Sequence, residues 1–501
     1  MMKKALSLIG ILIIVLLSFV IFSLLVKSAA DRPAKYSKKI KDRIERVENG
    51  LTSWVQTPSL NLKWSIEERM LSYKVPGVSI AVINDYKIEW VKGYGWADVD
   101  EQRPVTAQTR FQAASISKSL NAVGVLRLAQ DGVIDLNSDI NQYLTSWKFP
   151  YDSITGDKKI TMLNLLSHTA GLTIHGFPGY AKGVALPAIT DILDGRAPAN
   201  TGAVRSQSEP EIRAQYSGGG TTILQLIVED ITRQPYAEYM HNRVFTPMKI
   251  SGSSYSQPPL ADARLLATAY IANMEEVQGK YHIYPEQAAA GLWTNPTDLA
   301  KYVIELQLAY AGRSGKLFSQ ETARLMLTPF MENNATISGG LAAPGLFIER
   351  MGDETYFQHS GSNRGFLCQY YGSLSNGKGV VVMTNASNSG IIREIINSVA
   401  TVYNWKEFYN PIVKETITPL DLDKYQGKYI TSNGSTYDIF RRDNELFISN
   451  NLPRQIYFTS EADFFVTEAR GDYKFLFDDS GKVTGFIIGN ETDGRRADRF
   501  F

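Results

Sequence analysis

Apolar and polar positions divide the chain into four zones. Lys3 and Lys4 precede a charge-free, mostly apolar run over residues 5–26, long enough to span a bilayer as a helix. It exceeds the usual signal-peptide core of about 7–15 residues. Ser28-Ala29-Ala30 nevertheless offers small residues for cleavage, so residues 1–30 read as a transmembrane anchor or a signal peptide. Charged residues dominate the next zone, and 31–60 reads as a solvated juxtamembrane stalk. From Ser65 the pattern becomes that of a packed body. Ser65-Ile66-Glu67-Glu68 reads as a capping box. Residues 78–83, a turn at Asn84-Asp85, and residues 87–94 read as a β-hairpin. Residues 115–132 are apolar nearly all round, as in a buried central helix, with Gly132 placed to end it. Residues 133–300 read as helix and loop. Residues 365–372 and 380–385 read as paired strands around Asn376-Gly377, and Ile391, Ile392, Ile395, Ile396, Val399 and Val402 mark an amphipathic helix. Strands at both ends with helices between predict an α+β body over 61–410, its single antiparallel sheet joined by both termini and flanked by helices. After Pro411 helical periodicity fades. Tyr473, Phe475 and Phe477 alternate, and 437–440 and 445–448 flank a polar turn. This predicts a separate all-β domain over 411–501, a sandwich or small barrel.

Composition narrows the function without naming it. The chain is 44% hydrophobic and 21% charged, with a net charge of +1, ordinary for globular proteins and no reason to expect nucleic acid. Cys368 is the one cysteine, so no internal disulfide can form. It sits in an apolar strand-like run and reads as a buried small hydrophobe. The five histidines form no His-Glu-x-x-His pair, and no metal or cofactor is expected. Lys27, Arg32, Lys35, Lys38, Lys39, Lys41 and Arg43 come after the apolar run and would hold that side in the cytoplasm. The two-lysine start argues instead for export, and the body is expected outside the cytoplasm.

Candidate chemistry enters at Ser115-Ile116-Ser117-Lys118. On a helix, Ser115 and Lys118 share a face with Cβ atoms about 5–6 Å apart. Burial of the lysine disfavours its charge, and a neutral amine can take the serine proton. Free N–H groups of a first helical turn can stabilise an oxyanion. The same pattern recurs at Ser375-Asn376-Gly377-Lys378, where Asn-Gly between apolar runs reads as a hairpin turn. On this motif alone, catalysis by Ser115 and a helix start with a solvated lysine both stay open.

Three further stretches accompany it in order: Leu165-Leu166-Ser167-His168-Thr169-Ala170-Gly171, then Tyr216-Ser217-Gly218, then His359-Ser360-Gly361-Ser362. Together the four resemble the serine β-lactamase-like hydrolases, which include class C β-lactamases, penicillin-binding D,D-carboxypeptidases, D-aminopeptidases and related esterases. The resemblance covers about residues 65–405 and carries the Ser-x-x-Lys signature. It implies a β-lactamase/transpeptidase-like sheet with a helical subdomain. It also implies Ser115 as acylated nucleophile, Lys118 as its partner, and Tyr216 as general base or proton shuttle titrating with Lys118. His359, Ser360 and Gly361 match the groove-lining Lys-Thr-Gly segment, and the backbone N–H groups of Ser115 and Ser362 would form the oxyanion hole. His168 is implied as a structural anchor of its loop. Two departures stand out. Gly218 replaces the asparagine of Tyr-x-Asn, and His359, mostly neutral at pH 7, replaces the lysine of Lys-Thr-Gly. Both argue against an efficient β-lactamase. The 411–501 domain resembles the lipocalin-like domains appended to some peptidases and esterases of this type. Three functions remain for a small peptide, amide or ester ligand: a peptidase or amidase acting on D-residues, an esterase on the same machinery, or a membrane-tethered binding protein without turnover. No Gly-x-Ser-x-Gly occurs, which disfavours an α/β-hydrolase.

Overall fold

Two nine-stranded antiparallel sheets organise the computed structural model, which describes residues 36–500 except 59–61, 332–335, 338–339, 470 and 490–493. The apolar run 5–26 lies outside the described residues. Among the described residues no helix is long and apolar enough to cross a membrane. Among the described residues the longer helices are α1 (Lys38–Glu48), α2 (Ile66–Tyr73), α3 (Ser117–Gln130), α4 (Gly218–Thr232), α5 (Pro296–Tyr310) and α6 (Gly390–Val402). The first sheet contains, in chain order, β1 (Gly77–Asn84), β2 (Lys87–Asp98), β3 (Arg103–Pro104), β4 (Thr336–Ile337), β5 (Gly340–Ala343), β6 (Leu346–Met351), β7 (Glu354–Asn363), β8 (Phe366–Ser373) and β9 (Gly379–Thr384). In space their order is β3-β2-β1-β9-β8-β7-β6-β5-β4. The pairing of β1 with β9, Val82 opposite Val380, joins the two ends of the body as the sequence predicts.

The continuous apolar runs of β1 and β9 follow from burial on both faces. Ala81, Ile83, Val381 and Met383 join a core shared with α3, α4 and α5. The alternate residues Ile80, Val82, Val380 and Val382 are buried too, on the opposite face by the two-residue period of a strand. The expected capping box forms: Ser65 Oγ accepts from Glu68 N–H, and the Glu68 carboxylate accepts from Ser65 N–H. The Ser375–Lys378 decoy is a hairpin turn with Gly377 at φ +66°; Lys378 donates to the Asn404 carbonyl.

The stalk expectation needs correction. Val47, Leu51 and Val55 are fully buried, and Ser53 Oγ donates to Glu394 on α6 at 3.2 Å. Residues 47–58 thus belong to the body, because an apolar set hidden among charges in the sequence finds α6 to pack on.

The second sheet runs, in space, Pro453–Gln455, Glu445–Ser449, Thr436–Arg442, Gly427–Thr431, Arg495–Phe500, Val483–Ile488, Tyr473–Phe477, Asp463–Phe465, Tyr457–Phe458. Its two edge strands are neighbours in the chain, separated only by Ile456, so this is a nearly closed barrel. Its interior is packed with rings: Phe464 and Phe475 lie 4.4 Å apart, Tyr425 and Phe475 4.7 Å, Tyr429 and Phe486 5.1 Å. This core is separate from that of the body. Contacts among the described residues fasten barrel to body. Val55–Gln56 pairs in parallel with Ile412–Val413. Val55 N–H donates to the Thr467 carbonyl. The buried Arg69 guanidinium binds Glu394, with Nε 2.6 Å from Oε2, and reaches Glu468 of the barrel at 3.3 Å. Tyr73 donates to the same Glu394 at 2.7 Å.

Candidate active site

Ser115 lies on a 3₁₀ turn, Ala114–Ile116, that leads directly into α3. The helix therefore starts two residues later than expected. Ala114 sits at φ +48°, a strained conformation for a non-glycine residue. Both Ala114 and Ile116 are fully buried, while Ser115 between them remains partly open. One turn along, Lys118 is 3% exposed. Its Nζ lies 3.2 Å from Ser115 Oγ and 2.7 Å from the Ala289 carbonyl oxygen. Burial lowers its pKa to about 7, because among the described residues no carboxylate pairs with the ammonium to stabilise it.

Tyr216 approaches from the loop before α4. Lys118 Nζ stands 4.9 Å from its ring centre, and burial raises the pKa of its hydroxyl, an effect that nearby Ser115 only partly offsets. Burial drives both groups toward their neutral forms, an amine and a phenol. The Tyr216 segment is pinned on two sides. The His175 ring donates through Nδ1 to the Tyr216 carbonyl. His168 Nδ1 accepts from Ser217 N–H at 3.3 Å, and its carbonyl accepts from Gln215 N–H at 2.6 Å. His168 is thus placed as a structural anchor, its imidazole kept neutral by burial and by Lys118.

Strand β7 closes the site. Its pairing with β6 stops at Gln358–Phe347, but its pairing with β8 continues to Asn363–Phe366. One backbone edge of residues 359–363 is therefore left outside the ladder. Gly361 passes so close to the Ala113 carbonyl that a Cβ there would collide with it, which brings Ser362 beside the Ser115 turn. Ser360 and Ser362 are exposed and His359 and Gly361 buried, the alternation of a strand with one open face. The His359 ring is 2% exposed and packs 5.0 Å from Phe347 and 6.3 Å from Tyr216. Its Nδ1–H donates to the Ser360 carbonyl at 2.6 Å. That fixes the tautomer and leaves Nε2 an acceptor, buried without a partner among the described residues. Burial, helped by Lys118, lowers its pKa to about 3. The side chain expected to line the groove is neutral and covered, and the strand offers backbone and serines instead.

Two features escape sequence reasoning. Ala289 holds Lys118 through a carbonyl, which leaves no trace in residue type beyond the small run Ala288-Ala289-Ala290. At Gly218 a Cβ would stand 2.9 Å from Cε2 of Phe177 and 3.2 Å from the His175 carbonyl; the ring fills space that an asparagine would need. Cys368 is buried and donates to the Ala113 carbonyl at 3.1 Å, and burial raises its pKa, as suits a packing residue. Among the described residues no group of three His, Cys, Asp or Glu side chains could hold a metal ion.

The Beta-lactamase family matches residues 63–395. Protein flp of Staphylococcus aureus (strain N315) is 25% identical over 354 residues, 68% of this chain. The chain spans only 66% of that relative's length. The octameric penicillin-binding protein homologue from Pyrococcus abyssi superposes with a TM-score of 0.58 at 20% identity, covering 86% of this chain and 98% of its own. The D-amino acid amidase from Ochrobactrum anthropi SV3, solved with L-phenylalanine amide, gives 0.56 at 19% identity over 72% of this chain and 99% of its own. A match across two thirds of the chain, on a matching fold, establishes that this protein belongs to the Beta-lactamase family, the serine-hydrolase-type family that includes penicillin-binding proteins.

Proposed function

We propose that the protein hydrolyses peptide or amide bonds through an acyl-enzyme on Ser115, with amides or peptides of D-amino acids as its substrate class. The observation that carries this is a buried, uncompensated Lys118 amine 3.2 Å from a partly open serine hydroxyl. Neutral Lys118 takes the Ser115 proton as Oγ attacks the substrate carbonyl. The oxyanion forms beside the backbone N–H groups of Ser115 and Ser362. The proton then passes from the Lys118 ammonium by way of the Tyr216 hydroxyl to the leaving nitrogen, and the C–N bond breaks. Water, deprotonated by the same pair, releases the acid. The open edge of residues 359–363 suits an extended substrate backbone. Resemblance of fold to a D-amino acid amidase favours amides over β-lactams, as do Gly218 and the covered His359. We further propose, from the apolar run 5–26, that the body lies outside the cytoplasm.

The test is covalent labelling of Ser115 by a fluorophosphonate, read by mass spectrometry, with turnover of a panel of D-amino-acid amides, peptides and esters. Wild type should be labelled and turn over D-amides, while Ser115→Ala should lose both with its fold intact. Labelling without hydrolysis of any amide would leave the esterase; no labelling would leave a binding protein. Protease accessibility of the body in spheroplasts tests its location.

A further inference from the structure

Phe177 stands where the third position of Tyr-x-Asn would otherwise project, and it stands there rigidly. Its ring lies against Gly218, two residues from Tyr216, and is only partly buried. The loop on either side is clamped. Before it, the His175 ring donates to the Tyr216 carbonyl, and the His175 carbonyl accepts from Gly218 N–H at 3.2 Å. After it, the Pro178 carbonyl accepts from His282 Nδ1 at 3.1 Å and the Tyr284 hydroxyl at 3.4 Å. Tyr180 and Ile283 exchange two backbone hydrogen bonds, both 2.8 Å, and Asn200 Nδ2 donates to the Gly179 carbonyl at 3.0 Å. Gly179, at φ +71°, exists because the Tyr284 ring occupies the space of its Cβ. A loop held this way displays its side chain in one position, and a preorganised ring loses little freedom when a ligand arrives.

The first turn of α4 meanwhile has no polar group left for a ligand. Gly218 N–H donates to the His175 carbonyl, Gly219 N–H to the Ile174 carbonyl, and Gly220 N–H to Ser217 Oγ. Neither a side-chain amide nor a free helix N–H is there to meet a substrate carbonyl or carboxylate.

Resting on the serine-hydrolase reading above, we infer that Phe177 sets acyl-side specificity. It forms an apolar wall that favours acyl groups with a bulky apolar side chain and gives an N-acylamido group no hydrogen-bonding partner on the Gly218 side. Phe177 touches the acyl group through its ring face and takes no part in proton transfer. Gly218 is its counterpart, since only a residue without Cβ leaves room for the ring.

The experiment measures kcat/KM for the amides of D-alanine and D-phenylalanine, free and N-acetylated, in wild type, Phe177→Leu, Phe177→Ala and Phe177→Ala/Gly218→Asn. Fluorophosphonate labelling of Ser115 is followed in each as a readout of the machinery. Phe177→Ala should lower the D-phenylalanine over D-alanine preference at least tenfold, about what a hydrophobic pocket discriminates, while Ser115 remains labelled. Phe177→Leu should lower it less. The double variant should gain on the N-acetylated substrates. An unchanged preference in the leucine and alanine variants, with labelling intact, overturns the inference. Should Phe177→Ala lose its melting transition, an unchanged preference in Phe177→Leu overturns it equally. Absence of labelling in wild type sinks the serine-hydrolase reading instead.

Discussion

Replacing Lys118 by methionine should make the protein more stable and nearly inert. At pH 7 a lysine with its ordinary pKa near 10.4 is neutral in roughly 0.04% of molecules. Burial brings Lys118 to about 7, so about half are neutral. The fold thereby supplies about a thousandfold more free amine next to Ser115. The same shift is a stability statement. Lys118 binds its proton more weakly when folded than when unfolded. Stability therefore rises with pH from about 7 to the unfolded value, and the full cost of the buried charge is felt below about 7. At about 1.36 kcal/mol per pH unit that cost is about 4–5 kcal/mol. Methionine fills similar space without charge and loses the bond to the Ala289 carbonyl, about 1 kcal/mol. The net gain should be about 2–4 kcal/mol at pH 6 and vanish toward pH 10. Urea denaturation at both pH values measures it. In wild type, the rate of fluorophosphonate labelling at Ser115 should climb tenfold per pH unit up to about 7 and level off above. A labelling profile flat from pH 5 to 9, or a methionine variant equally stabilised at pH 6 and 10, would refute the reasoning.

Gly361→Ala forces a methyl against the Ala113 carbonyl and the Cys368 sulfur; we expect about 1–3 kcal/mol lower stability from overpacking and slower labelling, read by thermal denaturation and mass spectrometry. His359 is neutral above about pH 3. Activity should persist above pH 8 for acidic and neutral substrates alike, and a descending limb confined to acidic substrates would show that His359 carries charge. Arg69→Met strands the Glu394 carboxylate without its cation and should cost about 3–5 kcal/mol, whereas Arg69→Met/Glu394→Met should recover most of that. A fragment of residues 412–501 should fold alone with a strand-rich circular dichroism spectrum, since its core is separate from that of the body; a disordered fragment would make the barrel part of one unit with the body.

Much of this was legible in the chain because local signals and tertiary demands agreed. Ser65 and Glu68 form their box, β1 and β2 their hairpin, and Tyr473–Phe477 and Val483–Ile488 their ladder. The structure brings Ser115, Lys118 and Tyr216 together. What could not be read is carried by backbone or by distant packing. The Ala289 carbonyl has no side-chain signature. The covering of His359 depends on Phe347, which is close only because β6 pairs with β7. Phe177 sits in a loop of no periodicity, and nothing local ties it to Gly218. Residues 47–58 misled because their charged surroundings outweigh the few apolar positions that α6 buries.

The parallel pairing of Val55–Gln56 with Ile412–Val413, and the bond from Val55 to Thr467, set an order of events. A segment made early finds its partners among residues made hundreds of positions later. Contacts so distant in sequence form slowly, because a long loop must close before they stabilise anything. Residues 47–58 must therefore wait until α6 and Ile412–Val413 have been made. Truncation before about residue 390 would leave that early segment unmatched, and quality-control proteases would meet an exposed strand in such incomplete copies.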